Sequence, residues 1–387
     1  MNDTYNHALK PARILLKPAA DKYQDSHRKW QGIPSIEITK GGTIYSIFYS
    51  GNTGETAGNF AVMLRSDDKG NSFSSPYIVV EHEHPNVRVF DPNLWLDPLG
   101  RLWMTWAQSW DFFDGRAGVW CAICDKPDEE PIRFNGPFRI FDGVMMNKPI
   151  VLKNGKWLFP CAIWRKELAV SAAKQCITPR TDENIIYSAY EEGAYALETD
   201  DCGKSFTPLG YAKFTNYDFP EHMFIEMKDS RIWCLARTIN HIAQSFSCDG
   251  GRTWSEEEVS NLYGGGSRFF IRRLNSGALL FVGHANILFD KPGENKSPNR
   301  RANLTAMLSY DDGKTWDPNV LLLDDRENVS YPDGTQDDNG IIYIIYDRGR
   351  YAEREILLAR FTEENIRSKR TDKNLSLRQV INTAYGV

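Results

Sequence analysis

One phrase, Ser/Thr-x-Asp-x-Gly-x-Ser/Thr-Trp/Phe, occurs four times in the chain, at Ser66–Phe73, Thr199–Phe206, Ser247–Trp254 and Ser309–Trp316. It is the chemistry of a tight hairpin turn. Gly supplies a positive φ, the Asp carboxylate and the hydroxyls bond turn amides, and the aromatic ring packs beneath to fix the register. These residues are expected to be structural. A second phrase, Gly-x-hydrophobic-hydrophobic (Ser in one case), begins at positions 42, 100, 155, 230, 277 and 340, at intervals of 58, 55, 75, 47 and 63 residues. Six turn-to-strand signals about 60 residues apart predict six units of four short strands each, an all-β six-bladed propeller. The second blade is expected to carry a degenerate turn near Asp125–Pro131. The 387 residues exceed the usual size of one domain, but repetition replaces a two-domain reading with one domain over 1–387. Its blades run roughly from 28 to 361, and both terminal segments close or pack on it.

Composition narrows the partners. Lys+Arg 46 against Asp+Glu 51 gives a net charge of −5, without the basic footprint that phosphate backbones require. Nucleic acid is therefore excluded as a partner. The 41% hydrophobic and 12% aromatic shares fill a large core. No run of about 18 apolar residues and no secretory apolar stretch occurs, so a cytoplasmic protein without membrane contact is expected. Of the seven cysteines (121, 124, 161, 176, 202, 234 and 248), most sit in apolar strand-like runs and are expected to be reduced and buried. Cys121 and Cys124 have metal-ligand spacing, but no second such pair follows and their flanks are strand, so no metal and no cofactor is expected.

In a propeller the innermost strands start around one mouth. Stepping back 6–9 residues from each Gly-x-hydrophobic-hydrophobic anchor gives Pro34, Pro92, Pro149, His222, Arg268 and Pro332, preceded by Ile33, Asp91, Lys148, Glu221, Ser267 and Tyr331. Asp91, Lys148, Glu221, His222, Arg268 and Tyr331 are thereby placed around one cavity. Charged groups there are costly unless they serve a ligand or form a satisfied polar plug. Arg237, in a strand of its own, is expected to share a site with Glu221.

These residues resemble those of the bacterial sialidases (neuraminidases). The hairpin phrase is the aspartate box of that superfamily, and the resemblance covers nearly all of residues 28–361. Glu221–Glu226 with Arg237 resembles the segment carrying a catalytic Glu and a carboxylate-binding Arg. The stretch 299–305 resembles the segment carrying another such Arg, here Arg301, and Val329–Gly334 resembles the segment with a nucleophilic Tyr, here Tyr331. Asp91 resembles a sugar-contacting Asp. Sialidases begin blade one with Arg-Ile-Pro, its Arg belonging to a triad that grips the sugar carboxylate; this chain has Gly32-Ile33-Pro34. Arg28 or Lys29 is expected to supply that charge. The loop expected to hold the acid/base Asp, residues 50–58, offers only Glu55.

The resemblance implies Tyr331 as nucleophile, because an anionic carboxylate would be repelled by an acidic sugar, with Glu221 as its base, since a free phenol with pKa of about 10 needs one. Glu55 is the implied acid and Arg237 and Arg301 the clamp. His222 has no counterpart in the resemblance; its place beside Glu221 alone makes it a candidate group titrating near neutrality. The expected activity is a retaining exo-glycosidase removing a terminal acidic sugar from an oligosaccharide. Two alternatives stay open: a lyase on uronate-containing glycans using His222, His241, His284 and Arg301, and a non-catalytic sugar-binding propeller. The oligomeric state is not specified by the sequence.

Overall fold

A computed structural model describes residues 3–168, 188–217, 219–290, 297, 300–370, 372 and 375–387. Six antiparallel sheets follow one another along the chain, the first with five strands and the others with four. They form the six-bladed propeller that the repeats predict. The innermost strands are Trp30–Ile38, Val87–Leu96, Ile150–Val151, Met223–Glu226, Phe270–Arg273 and Val329–Gln336. Each begins within a few residues of its predicted position.

Near-continuous apolar runs mark these segments as strands buried on both faces. In Ile44–Gly51 and Ile342–Arg348, β-branched and aromatic side chains project to both faces, because each blade is sandwiched between two others. Large apolar clusters accordingly lie between blades, as with Trp95, Trp103, Trp157 and Phe159 between the second and third. Each blade takes its core strands from consecutive sequence. The N-terminal strand Arg13–Leu16 adds to the outer edge of blade one through Ile78–Glu81, and Gln379–Thr383 forms the outer edge of blade six. The two ends meet there: Arg28 Nη2 donates to Asn382 Oδ1 at 2.8 Å, and the Tyr385 amide donates to the Asp25 carbonyl at 2.9 Å.

The aspartate boxes are built as the sequence suggests. In the last of them, the Thr315 amide and hydroxyl donate to Asp311 at 2.9 and 2.6 Å, and Ser309 Oγ donates to the same carboxylate at 2.9 Å. These donors hold the Asp311 carboxyl down at about 2. The glycines have a further role. A Cβ on Gly313 would meet the Trp233 ring of the preceding blade at 2.6 Å, so the turn lies flat on its neighbour. Blade two carries the expected degenerate turn. There Asp128 bonds Thr39 Oγ1 and, at 3.0 Å, the Gly41 amide, while Tyr45 Oη donates to the Pro127 carbonyl at 2.8 Å, tying the turn to blade one.

Of the cysteines, 176 lies outside the described residues. The other six are unbridged, with 121, 124, 161 and 234 buried and 202 and 248 exposed. Cys121 and Cys124 are three apart in one strand and so face opposite sides, Cys121 among the residues toward blade three and Cys124 toward blade one. They cannot share a metal ion.

Candidate active site

Four of the six inner strands carry, close to their start, a residue in the left-handed region: Ile33 (φ 55°), Asp91 (φ 46°), Glu221 (φ 38°) and Tyr331 (φ 56°). Three of these precede proline, and three sit at a register shift in the pairing with the next strand, between Gly32 and Ser35, Phe90 and Asn93, and Ser330 and Asp333. A bulge turns a side chain that would otherwise pack between blades toward the axis. Such backbone costs about 1–3 kcal/mol per residue and persists where surrounding contacts impose it. Asp347 is one such contact. It accepts from the Ile33 amide at 2.8 Å and from Ser330 Oγ at 2.5 Å, pinning blades one and six together.

The four residues line one cavity of about 390 Å³, whose wall also holds Glu55, Arg237, Arg301 and Arg350 and the apolar side chains of Met146, Phe112, Trp164, Phe219 and Tyr351. At its floor Tyr331 Oη donates to Glu221 Oε1 at 2.7 Å. Arg237 Nη1 donates to both partners, at 2.8 Å to the phenol oxygen and 2.7 Å to the carboxylate. Arg237 ends the strand Ile232–Arg237, which runs back from the far end of the inner strand and so returns to the mouth. Burial pushes the Tyr331 phenol up to about 12; the nearby arginines pull the other way and Glu221 adds to the rise. Asp91, buried and accepting no hydrogen bond from the described residues, is pushed up to about 7, first by burial and then by Glu55. Glu55 lies between two arginines, Oε1 3.2 Å from Arg350 Nη1 and Oε2 4.0 Å from Arg88 Nη1. Arg301 donates to the Gly266 carbonyl at 3.0 Å and has no carboxylate partner among the described residues.

Residues 42–344 match the family described as BNR repeat-like domain. The chain belongs to that family. Among solved structures, this BNR propeller is similar to the intramolecular trans-sialidase from Ruminococcus gnavus crystallised with oseltamivir carboxylate. The TM-score is 0.63 at 13% identity over 92% of this chain and 98% of that one. It is also similar to the Hadza microbial sialidase Hz136, with TM-score 0.61 and 18% identity over 84% of this chain and 64% of that one. A Dyadobacter fermentans protein described as of unknown function gives TM-score 0.62 and 15% identity over 89% and 95%. At these identities the likeness is one of fold, a sialidase-like BNR propeller. A comparison with curated protein sequences found no match.

The sequence-derived set divides in this propeller. Tyr331, Glu221, Arg237, Arg301, Asp91 and Glu55 share the cavity; Lys148, Arg268 and His222 do not. Lys148 Nζ is spent on the carbonyls of Ile36 (2.7 Å) and Leu94 and on Glu37 (3.3 Å) and Asp333 (3.2 Å). Arg268 is 1% exposed, and its guanidinium donates to the carbonyls of Met146 (3.1 Å), Pro34 (2.6 Å) and Tyr331 (2.8 Å), closing the axis beneath the cavity. Both form a polar plug, not the binding wall, with only Arg268 Nε left without a partner among these plug donors. His222 turns away, its Nε2 3.1 Å from the Tyr195 carbonyl, and burial pushes it down to about 4, so it is neutral at physiological pH. His284 is likewise buried, bonded to the Val329 carbonyl at 2.8 Å and pushed down to about 4. His241 lies outside the cavity wall, 3.8 Å from Glu257. Arg28 is wholly buried and bonded to Asp25, Ser50, Gln31 and Asn382, and Lys29 is not in the wall, so neither supplies a charge to the cavity.

Sequence reasoning missed Arg350 and the aromatic wall of Phe112, Trp164 and Phe219. Arg350 follows the strand Ile342–Arg348, which pairs with the strand bearing Tyr331. The return of that strand to the mouth, as at Arg237, was the available signal.

Proposed function

We propose that this propeller is a glycoside hydrolase that removes a terminal acidic sugar from an oligosaccharide, with retention and with Tyr331 as nucleophile. The observation that carries the reading is the Tyr331–Glu221 hydrogen bond of 2.7 Å at the floor of the cavity. A phenol held near 12 is not a nucleophile by itself. Glu221 Oε1 takes the phenol proton as the oxygen attacks, and Arg237 Nη1, already donating to both oxygens, stabilises negative charge on whichever carries it. The arrangement suits an anomeric carbon bearing a carboxylate, which a carboxylate nucleophile would repel.

Glu55 and Asp91 are the two further carboxyls of the wall, and proton delivery to the leaving oxygen falls to this pair. Arg301 and Arg237 favour an acidic ligand. The plug made by Arg268 makes the cavity blind, which favours removal of terminal units over cleavage within a chain. Solved structures of like fold are described as a sialidase and a trans-sialidase, which supports an acidic sugar as the ligand. The lyase reading loses its base, since His222 and His284 are buried away from the cavity and His241 is not in its wall.

A panel of activated aryl glycosides of acidic and neutral sugars tests the proposal. Release of aryl alcohol from acidic members alone, abolished by Tyr331→Phe, is expected. Cleavage of neutral members only, or an unsaturated product absorbing in the near ultraviolet, would overturn it.

A further inference from the structure

Gly32 and Arg350 lie at opposite ends of the sequence and compete for one volume. A Cβ built on Gly32 would stand 2.8 Å from both Cδ and Nε of Arg350 and 3.1 Å from its Cγ, so no side chain fits at position 32 while Arg350 keeps its place. Arg350 is firmly placed. Its Nε donates to Asp347 Oδ2 at 2.9 Å and its Nη1 to Glu55 Oε1 at 3.2 Å. The guanidinium carbon lies 4.1 Å from the centre of the Tyr331 ring. Its Nη2 is without a hydrogen-bond partner among the described residues.

Three guanidiniums of the cavity wall thus surround one phenol, with the buried Arg268 a fourth at 5.5 Å: Arg350 from blade six over the ring, Arg301 from blade five at 5.2 Å from the ring centre, and Arg237 from blade four on the phenol oxygen at 2.8 Å. Arg237 is held by Glu221 and Arg350 by Asp347 and Glu55, whereas Arg301 has no carboxylate partner among the described residues. We infer that Arg350 is an acid-binding residue of this cavity, and that position 32 is glycine because the guanidinium that blade one does not provide is delivered through its space from blade six. Glu55, 28% exposed, covers Arg350 and is the group that a ligand carboxylate displaces. Arg301 and Arg350 then grip the acid from two sides, as guanidinium forks do. The inference rests on the acidic-sugar reading above and identifies which residue enforces it.

The test uses oseltamivir carboxylate and its ethyl ester, in which the carboxylate is masked while the ammonium is kept, as a probe pair, titrated calorimetrically against the full chain. The wild type is expected to prefer the carboxylate by tenfold or more. Arg350→Ala should abolish most of that preference, and Arg350→Lys, which keeps the charge but not the fork, should retain part of it. Gly32→Arg alone should lower the melting temperature by the clash, while Gly32→Arg combined with Arg350→Ala should recover both folding and carboxylate preference. If the wild type prefers neither probe, or binds neither, the acidic-sugar reading fails and takes the inference with it. If the wild type prefers the carboxylate but folded Arg350→Ala or Arg350→Lys keeps the full preference, or the folded double variant does not regain it, only the assignment of Arg350 fails. Where Arg350→Ala does not fold, Arg350→Lys and the double variant decide.

Discussion

The same strand position serves two ends in this molecule. In blades one, two, four and six it holds Ile33, Asp91, Glu221 and Tyr331 in left-handed backbone, and their side chains reach the cavity. In blades three and five, Lys148 and Ser267 are outside that region of backbone, and the charges there, Lys148 and Arg268, point into the protein and bond carbonyls of neighbouring blades. Residue chemistry does not separate the groups, since both include charged side chains. Backbone geometry does: left-handed backbone, set at a bulge in blades one, two and six, turns the residue to the cavity, whereas without it an equal charge becomes a tie between blades. The first group is expected to carry function at little cost to folding, and the second stability.

The largest expected effect tests the plug. Arg268→Ala removes a donor from three buried carbonyls, of which Met146 keeps a second from Asn93, and should cost about 3–5 kcal/mol, read as a lower denaturant midpoint. A stability loss below about 1 kcal/mol would place Arg268 among the functional residues after all. Tyr331→Phe should do the opposite, lowering turnover roughly a hundredfold or more, about 2.7 kcal/mol of barrier, while the melting temperature stays within a few degrees.

Asp91 sharpens the comparison through pH. Its carboxyl is pushed up to about 7 from an ordinary 3.8. On raising the pH, the unfolded chain therefore loses this proton first, and the group withdraws stability between about pH 4 and 7. Asp91→Asn should accordingly stabilise the protein at pH 8 by a few kcal/mol at most, with no gain at pH 4. A gain that is largest in acid would contradict the buried, unpartnered setting of this carboxyl. The smallest effect belongs to the turns: Trp316 is half-buried beside Phe281, so Trp316→Ala should cost about 1–2 kcal/mol rather than the 3–5 of a fully enclosed ring.

What could be read from the sequence follows the range of the interactions. The blades were legible because aspartate boxes and Gly-x-hydrophobic-hydrophobic turns are local, each closed by residues within eight positions. Tyr331, Glu221 and Asp91 were legible because the repeat gives them one register. Lys148 shares that register, and His222 and Arg268 stand one position beyond it; none of the three lines the cavity, since a register says where a strand starts but not which way its backbone turns. The missing arginine at Gly32 was visible as a departure, but its replacement was sought among neighbours in sequence. Arg28 is consumed by the tie between the chain ends, and Arg350 arrives from the last blade because the propeller closes blade six against blade one.

The most direct test of the division between lining and plugging positions is to trap the reaction on the protein. A fluorinated, activated analogue of the acidic glycoside selected by the panel should label the chain covalently, and peptide mass spectrometry should place the sugar on Tyr331, with Glu221→Gln slowing the labelling. A label on Glu55 or Asp91, or turnover with inversion and no label, would contradict the assignment of Tyr331 and Glu221 as the reacting pair.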